Sequence, residues 1–273
     1  MSISRRLVSM LEWTASYIRH YGPAGVAMFA VHVAKSGLSR KGSLYQVSGR
    51  HGEKVSLRAG TRDLHIFRQV MLARDYDIPP EYLRFIEARY QATLERGETP
   101  LVIDAGANTG LYSYLISRQF PEARVICIEP DADNLAMARR NCDDRDNVVF
   151  MQCALWSSDG EVYFEDPNAD TWAYSVGEKK AGEPVQSRTI DSILAEHPGT
   201  ELFLLKVDIE GAEAQALNPA MGFWKTSPTV LVEPHDFLPG HHQSLKGVLS
   251  RPEYATGDIV IRGENLMLFG SAS

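Results

Sequence analysis

The chain has few cysteines, no long apolar run and no excess of basic residues, and each shortage excludes a class of protein. Its three cysteines (Cys127, Cys142 and Cys153) are too few and too odd in number for a disulfide framework, so free thiols and a reducing, cytoplasmic location are expected. The longest apolar run, residues 24–34, is far shorter than the ~20 residues that cross a membrane, so no span is predicted. With 35 acidic and 28 basic residues and no clustered basic stripe, a nucleic-acid partner is not expected.

The N-terminal third has a pattern of its own. Two helical stretches between residues 4 and 36 are separated by Gly22 and Pro23, and alternating residues near 45–57 indicate a β-hairpin. Two further helices lead to Gly97, so residues 1–97 are predicted to form a helical and hairpin cap. The first helices either pack on the main domain or contact a membrane surface or a partner.

From residue 98 to 273 strands alternate with helices, which predicts an α/β domain with a mostly parallel sheet covered on both faces. Two last strands, near residues 256–262 and 265–269, are joined by a tight turn and predict an antiparallel C-terminal hairpin. The stretch from 166 to 182 is irregular and includes Trp172 and Tyr174, which either cover a ligand or pack on the sheet.

The most informative stretch is LVIDAGANTG, residues 101–110. A short apolar run before a glycine-rich bend predicts a buried parallel strand that turns into a helix. Gly106 and Gly110 allow positive φ and a close approach of the backbone. Such a bend usually holds a nucleotide-like ligand at the carboxyl end of its strand.

Two acidic residues indicate which ligand this is. A dinucleotide fingerprint would need glycines at the positions of Asn108 and Leu111, so a nicotinamide cofactor is disfavoured. Asp104 at the end of the strand would repel a pyrophosphate but suits a cationic group. Glu129, at the end of the next strand, can accept hydrogen bonds from both ribose hydroxyls. A cationic end and a ribose together describe S-adenosylmethionine.

Five segments resemble the motif series of FkbM-type class I methyltransferases. They are VIDAGANTG, VICIEPDADNLAMARRN, QCALWSSDG, LLKVDIEGAE and VLVEPH, and the upstream segments VSLRAGTRDLHIFRQV and RDYD extend the resemblance to about residue 45. The resemblance implies a Rossmann-like, seven-stranded sheet, S-adenosylmethionine as methyl donor, and O-methylation of a hydroxyl on a sugar, polyketide, peptide or other metabolite.

The resemblance also implies roles for particular residues. Four residues would surround the methionine end of the cofactor: Asp104, Gly106, Asn108 and Gly110. Glu129 would hold the ribose, with Pro130 beside it. Gln152, Cys153 and Ala154 would border the adenine, or else belong to the core of the strand.

Asp208 and Glu210 end the long strand at residues 202–211, where the reactive face of an open α/β sheet is expected. Lys206 shares one face of this strand with Asp208 and, if buried, needs a charged partner. Asp208 therefore either forms a structural ion pair or lies near the transferred methyl group and orients or deprotonates the acceptor.

Glu233 and His235 end the next strand and face the same way, so they could form a cluster with Asp208. His235 has the right intrinsic pKa for a general base near neutral pH. The three residues could also hold Mg²⁺ or Mn²⁺, although no metal is favoured, or they could have a structural or substrate-binding role. His241 and His242 are expected to face solvent.

The sequence thus predicts a cytoplasmic S-adenosylmethionine-dependent O-methyltransferase with a small-molecule, glycan or natural-product acceptor. One alternative is a metal-dependent O-methyltransferase. The other, from a different class, is a non-catalytic module that binds S-adenosylmethionine; the acids at 208, 210 and 233 argue against it, because a silent pocket does not need them.

Overall fold

The computed structural model describes residues 3–49, 53–164, 176–177, 182–236 and 243–270. Trp172, Tyr174, His241 and His242 lie outside these residues. The chain divides into two compact units, Met1–Asp75 and Tyr76–Ser273. Among the described helices, none combines the length and the apolar content that a membrane span requires.

The first unit has the two helical stretches and the hairpin that the sequence predicts. Its elements are α1 (Ile3–Tyr21), a 3₁₀ turn (Gly22–Ala24), α2 (Gly25–Leu38), β1 (Leu44–Ser48), β2 (Lys54–Arg58), α3 (Asp63–Phe67) and a π-helical segment (Arg68–Ala73). The helices separate where expected, because Gly22 has a φ of +65° and Pro23 follows it within the 3₁₀ turn. β1 and β2 pair antiparallel.

The second unit contains the alternating strands and helices. Its helices are α4 (Pro80–Glu95), α5 (Leu111–Gln119), α6 (Ala132–Asn141), α7 (Ile190–Ala195), α8 (Glu213–Ala216), a 3₁₀ segment (Gly222–Thr226), α9 (Lys246–Leu249) and α10 (Pro252–Ala255). Its strands are β3 (Thr99–Ala105), β4 (Arg124–Ile128), β5 (Val148–Met151), β6 (Ala154–Leu155), β7 (Gly160–Phe164), β8 (Val176–Gly177), β9 (Pro184–Arg188), β10 (Thr200–Val207), β11 (Thr229–Val232), β12 (Asp258–Arg262) and β13 (Asn265–Phe269).

Seven strands form one sheet in the order β12-β13-β11-β10-β3-β4-β5. The five from β11 to β5 are parallel, whereas β13 is antiparallel to both β11 and β12. This is the predicted Rossmann-like sheet with an antiparallel C-terminal hairpin. The buried apolar residues of β3, β4, β10 and β11 form the core, and the alternation of helices with strands covers both faces.

The chain adds strands to the sheet in one direction from β3 through β4 to β5, and in the other direction from β10 to β11. The strand order therefore reverses between β3 and β10. Asp104 and Lys206 are register partners across this pair of strands, so their side chains leave the same face at the same level. Ligands of open α/β sheets bind at the carboxyl ends of the strands beside such a switch point. The fold therefore brings the ends of β3, β4 and β10 to one edge of the sheet.

The sequence of residues 148–155 predicts a single strand, and this prediction is wrong. It divides into β5, which ends at Met151, and β6, which begins at Ala154 and pairs with β9 in a second sheet of order β6-β9-β7-β8. Cys153 packs into the core of the large sheet, whereas Ala154 and Trp156 pack with Val162 in a separate apolar cluster. The side chains of residues 153–156 alternate between the two clusters, and the strand ends because β6 pairs with β9 instead of continuing beside β4.

The first compact unit ends at Asp75, and α4 belongs to the second unit. Tyr90 on α4 is buried, and its ring lies 5.1 Å from that of Phe120 and 6.0 Å from that of Phe203, measured between centroids. This aromatic contact places α4 against β10 and the end of α5. A cap function for residues 1–97 remains a proposal.

The bend after β3 requires a glycine at its first turn. Gly106 has a φ of +71°, and a Cβ atom at this position would lie 1.7 Å from the carbonyl oxygen of Asp208. Gly97 has a similar φ of +75°, but a Cβ there would have no atom within 4 Å. The two glycines therefore separate the effect of backbone strain from the effect of a steric clash.

We predict that Gly106→Ala destabilises the protein more than Gly97→Ala does. Both changes force an L side chain into the left-handed region, which costs about 1 kcal/mol. Only Gly106→Ala also displaces the backbone at the end of β10, which adds about 2 kcal/mol. Urea unfolding of both variants measures the difference; equal losses would show that the bend is not tightly packed against Asp208.

Candidate active site

Glu129 joins the ends of β3 and β4. Its carboxylate accepts hydrogen bonds from two backbone amides, that of Asn108 at 2.8 Å and that of Asp131 at 3.0 Å. The side chain is buried, and burial raises its pKa to about 7 despite these two hydrogen bonds. Asn108 itself has a φ of +50°, so the bend presents this amide to Glu129 through a left-handed residue. Glu129 thus fixes the shape of the bend between β3 and α5.

Asp104 is fully buried at the end of β3. Its Oδ2 accepts a hydrogen bond of 2.6 Å from Ser113 Oγ on α5, and its Oδ1 lies 3.3 Å from Lys206 Nζ. Because no atom of Asp104 reaches solvent, its side chain contacts only the protein groups behind the bend. It can attract a cationic ligand only through its charge.

Lys206 is the buried cation of the site. Its Nζ donates to the carbonyl oxygen of Gly106 at 3.0 Å and lies 3.4 Å from Asp208 Oδ2, besides its contact with Asp104. It also lies 5.1 Å from the centre of the Tyr76 ring, within the range of a cation–π contact. Burial alone would lower the pKa of Lys206, but the carboxylates of Asp104 and Asp208 raise it above its ordinary value. The ion pair that the sequence left as an alternative is therefore present, with Asp104 as a second partner.

Tyr76 lies between two acids of the cluster. Its hydroxyl oxygen is 2.9 Å from Asp208 Oδ2 and 3.2 Å from Glu233 Oε2. One hydroxyl has one proton, so it donates to one carboxylate at a time. Burial and the neighbouring Asp208 raise the pKa of Glu233 to about 8, and a proton held by Glu233 can satisfy the second contact. The Tyr76 hydroxyl therefore connects the carboxyl groups of Asp208 and Glu233 through hydrogen bonds.

His235 is held between carboxylates. Its Nδ1 lies 2.8 Å from Glu213 Oε1, and its Nε2 lies 3.3 Å from Glu210 Oε2 and 3.9 Å from Glu233 Oε1. Burial alone would lower the pKa of His235, but Glu213 and Glu210 raise it to about 9. A raised pKa favours the charged imidazole near neutral pH, and the role of His235 as a general base stays a prediction.

Glu213 is the other charged group that supports His235. It has no solvent exposure, accepts a hydrogen bond of 3.0 Å from the Gly211 amide, and has Ser244 Oγ at 3.4 Å from its Oε2. Sequence reasoning did not assign a function to Glu213 or Tyr76. Both lie in segments that carry the family resemblance, LLKVDIEGAE and RDYD, and that position was the available signal.

The structure brings Asp208, Glu233 and His235 together as expected: one ligand atom from each lies within 4.8 Å of the others. The three residues expected at the adenine have three different surroundings. Gln152 Nε2 is 3.5 Å from the Pro130 carbonyl oxygen, whereas Cys153 is buried in the core, where burial raises its thiol pKa to about 12. Ala154 begins β6 in the second sheet.

Several buried polar atoms near the bend have no hydrogen-bond partner among the described residues. They are Asn108 Oδ1, Thr109 Oγ1 and the Tyr112 hydroxyl. Buried polar atoms are normally paired, so this group indicates that a polar ligand belongs beside the bend. Gly110, with a φ of +75° and a Cβ direction blocked by Ala138, completes the same close-packed turn.

Comparisons with known proteins identify the family of this chain. The family model of the methyltransferase FkbM domain matches residues 104–252, which is more than half of the chain. The chain therefore belongs to the FkbM methyltransferase family. This confirms the resemblance found in the sequence.

Two relatives show how far the similarity extends. Methyltransferase sdnD of Sordaria araneosa is 29% identical over 170 residues, which are 49% of this chain and 66% of that protein. The 2-O-methyltransferase NoeI of Sinorhizobium fredii is 23% identical over 136 residues, 43% of this chain and 56% of that protein. The chain thus matches somewhat less than two thirds of each relative. A methyltransferase of known structure from Geobacter sulfurreducens covers 77% of this chain and 87% of its own, with 15% identity and a TM-score of 0.37.

The charged state of His235 gives a pH prediction. Because its pKa is raised from 6.5 to about 9, its protonation stabilises the folded protein fully below pH 6.5, and this stabilisation is lost as the pH rises towards 9. The raised pKa values of Glu210 and Glu233, about 7 and about 8, also reduce stability as the pH rises above 4.5. We therefore expect the free energy of unfolding to decrease steadily with pH across the neutral range.

His235→Gln should remove about 2 kcal/mol of this decrease, as measured by urea unfolding at several pH values. His197→Gln is the matched control, since burial and Arg124 lower the pKa of His197, which is neutral above pH 6.5 whether folded or unfolded. Parallel pH profiles for the wild type and His235→Gln would contradict the charged state of His235.

Proposed function

We propose that the chain is an S-adenosylmethionine-dependent O-methyltransferase. The observation that carries this proposal is the placement of acids at the ends of adjacent strands beside the switch point, with Asp104 on β3, Glu129 after β4 and Asp208 after β10. An acceptor hydroxyl on a small metabolite, sugar, polyketide or peptide fits the acid cluster, since a hydroxyl needs help to lose its proton. The name of NoeI, a 2-O-methyltransferase, supports the same acceptor atom.

The residues at the bend fit the methyl donor. The unpartnered atoms of Asn108 and Thr109 offer hydrogen bonds to its polar groups, and Gly106 and Gly110 let the backbone approach it closely. Asp104, Asp208 and Lys206 together carry a net charge of −1 when ionised, which favours a cation nearby. Asp104 thus contributes electrostatically to the methionine end.

The remaining cofactor contacts are proposed from the sequence pattern and its placement. Glu129, with Pro130 beside it, would hold the ribose. Gln152, whose side-chain amide lies beside the Pro130 carbonyl oxygen, would border the adenine. Cys153 and Ala154 would contribute through their backbone, because both side chains are buried in apolar cores.

When bound, the donor supplies an electrophilic methyl group on a sulfonium that leaves as a neutral thioether. The protein has to orient the acceptor and take its proton. Asp208 has a side chain that is 20% exposed, whereas Asp104 and Lys206 behind it are sealed. We assign Asp208 as the proton acceptor and Glu233, connected through the Tyr76 hydroxyl, as the group that shares that proton.

His235 has a supporting part in this proposal. As an imidazolium between Glu210 and Glu213 it compensates the negative charge around Asp208 and Glu233. It stabilises the cluster in the state in which Asp208 is ionised and able to accept a proton. This replaces a role as the initial base.

A metal-dependent O-methyltransferase is the second candidate, and one observation favours it. A histidine that binds a metal usually donates its other ring N–H to a carboxylate, and His235 Nδ1 has such a partner in Glu213. Asp208, Glu233 and His235 Nε2 would then hold Mg²⁺ or Mn²⁺. Activity that EDTA abolishes and Mg²⁺ restores would select this candidate, whereas activity unaffected by EDTA would select the proton-transfer proposal.

Calorimetric titration with S-adenosylmethionine tests the donor site. The wild type should bind it, NAD should not bind, and Glu129→Gln should bind at least about tenfold more weakly, because charge-assisted hydrogen bonds to the ribose are lost. Glu98→Gln is the control, since Glu98 is exposed and pairs with Arg96 away from the bend. Equal affinity of wild type and Glu129→Gln would contradict the assignment of the ribose site.

Transfer of a radiolabelled methyl group to a panel of sugars and other polyols tests the reaction. Glu233→Gln should lower turnover far more than donor affinity. Donor binding without transfer to any acceptor of this class would instead support a non-catalytic module.

A further inference from the structure

The helical hairpin of α1 and α2 has one well-packed side. The Tyr17 hydroxyl lies 2.9 Å from His32 Nδ1, and both side chains are buried. Gly25 lies so close to α1 that a Cβ atom would be 2.4 Å from the backbone of Tyr17. Phe29 packs on the rings of Trp13 and Tyr17. Residues 25, 29 and 32 follow the helical repeat, so this face of α2 is used for packing on α1.

The opposite face of α2 is exposed and entirely apolar. We call it the apolar face, and it consists of Val26, Ala27, Ala30, Val31, Val33, Ala34 and Leu38. Its large side chains are strongly exposed, from 44% for Val33 to 88% for Leu38. The one charged residue of the helix, Lys35, lies at the border of this face on a helical wheel. A continuous exposed apolar face on a helix marks an interaction surface.

The stretch of sequence that contains α2 carries charge of one sign. Between Glu12 and Glu53 the chain has no acidic residue but five Lys and Arg, including Arg40 and Lys41 directly after α2. Residues 1–75 contain twelve basic and four acidic residues, whereas residues 76–273 contain sixteen and thirty-one. The first unit is therefore strongly basic within an acidic protein.

These observations favour an anionic partner with an apolar interior. A second copy of this chain would bring two basic units together, which like-charge repulsion opposes. A nucleic acid could bind the Lys and Arg side chains through its phosphates, but it would leave the apolar face without a partner. An interfacial helix that combines an apolar face with flanking Lys and Arg is the type that lies on anionic lipid.

We propose that the apolar face of α2 docks on the surface of a bilayer that contains anionic lipids, with Arg40 and Lys41 at the headgroups. The apolar side chains enter the boundary between headgroups and acyl chains, and the basic residues supply the electrostatic attraction. Each contribution alone gives weak binding, so the two together are required. This surface is independent of the proposed methyl transfer.

Vesicle flotation of the full chain tests the proposal. The wild type should float with vesicles of phosphatidylcholine and phosphatidylglycerol, bind more weakly in high salt, and bind poorly to phosphatidylcholine alone. The double variants Val31→Glu/Leu38→Glu and Arg40→Glu/Lys41→Glu should each lose at least about tenfold in binding. Ile261→Glu is the matched control, because Ile261 is also exposed and apolar but lies on β12 in the second unit.

Circular dichroism and thermal unfolding establish that the variants are folded, which is expected because the substituted side chains are exposed. The proposal is overturned if the wild type fails to bind the anionic vesicles. It is also overturned if Val31→Glu/Leu38→Glu binds these vesicles as well as the wild type does. Binding that is equal for both lipid compositions would also overturn it. A dimer in sedimentation equilibrium that Val31→Glu/Leu38→Glu dissociates would assign the face to a second copy of the chain instead.

Discussion

The site depends on one buried ammonium group. Lys206 links the carboxylate of Asp104 on β3 to that of Asp208 after β10, and it also holds the carbonyl of Gly106 in the bend. Two carboxylates at neighbouring strand ends would repel each other in a buried position, and an unpaired lysine there would be costly. The switch point of the sheet is stable with acids on both sides because this cation lies between them.

Lys206 also lies between two parts of the candidate site that differ in exposure. On the side of β3 and β4, Asp104 and Glu129 are engaged with backbone and side-chain donors, and they shape a rigid bend with unpartnered polar atoms beside it. Beyond Lys206, Asp208 and Glu233 are partly exposed, and both lie within hydrogen-bond distance of the Tyr76 hydroxyl. In the proposed function, the first side binds the methyl donor and the second side accepts the proton of the methyl acceptor.

Much of this arrangement could be predicted from the sequence because parallel strands bring their carboxyl ends to one edge. Apolar runs located β3, β4 and β10, and acids directly after them located the site. The contacts of Tyr76 and Glu213 could not be predicted, since they join elements far apart in the chain. The raised pKa of His235 depends on Glu210 and Glu213 around a buried ring, which no local pattern encodes. The change of sheet after Met151 was missed because β6 has only two residues.

A double-mutant cycle on Lys206 and Asp104 tests the central role of the ammonium most directly. Lys206→Met should reduce the free energy of unfolding by about 3–5 kcal/mol, because it leaves the buried Asp104 and the partly exposed Asp208 without their cation. Asp104→Asn in the same background should restore part of that loss, which gives a large coupling energy. Additive effects, or a Lys206→Met protein as stable as the wild type, would show that the strand ends do not depend on this ion pair.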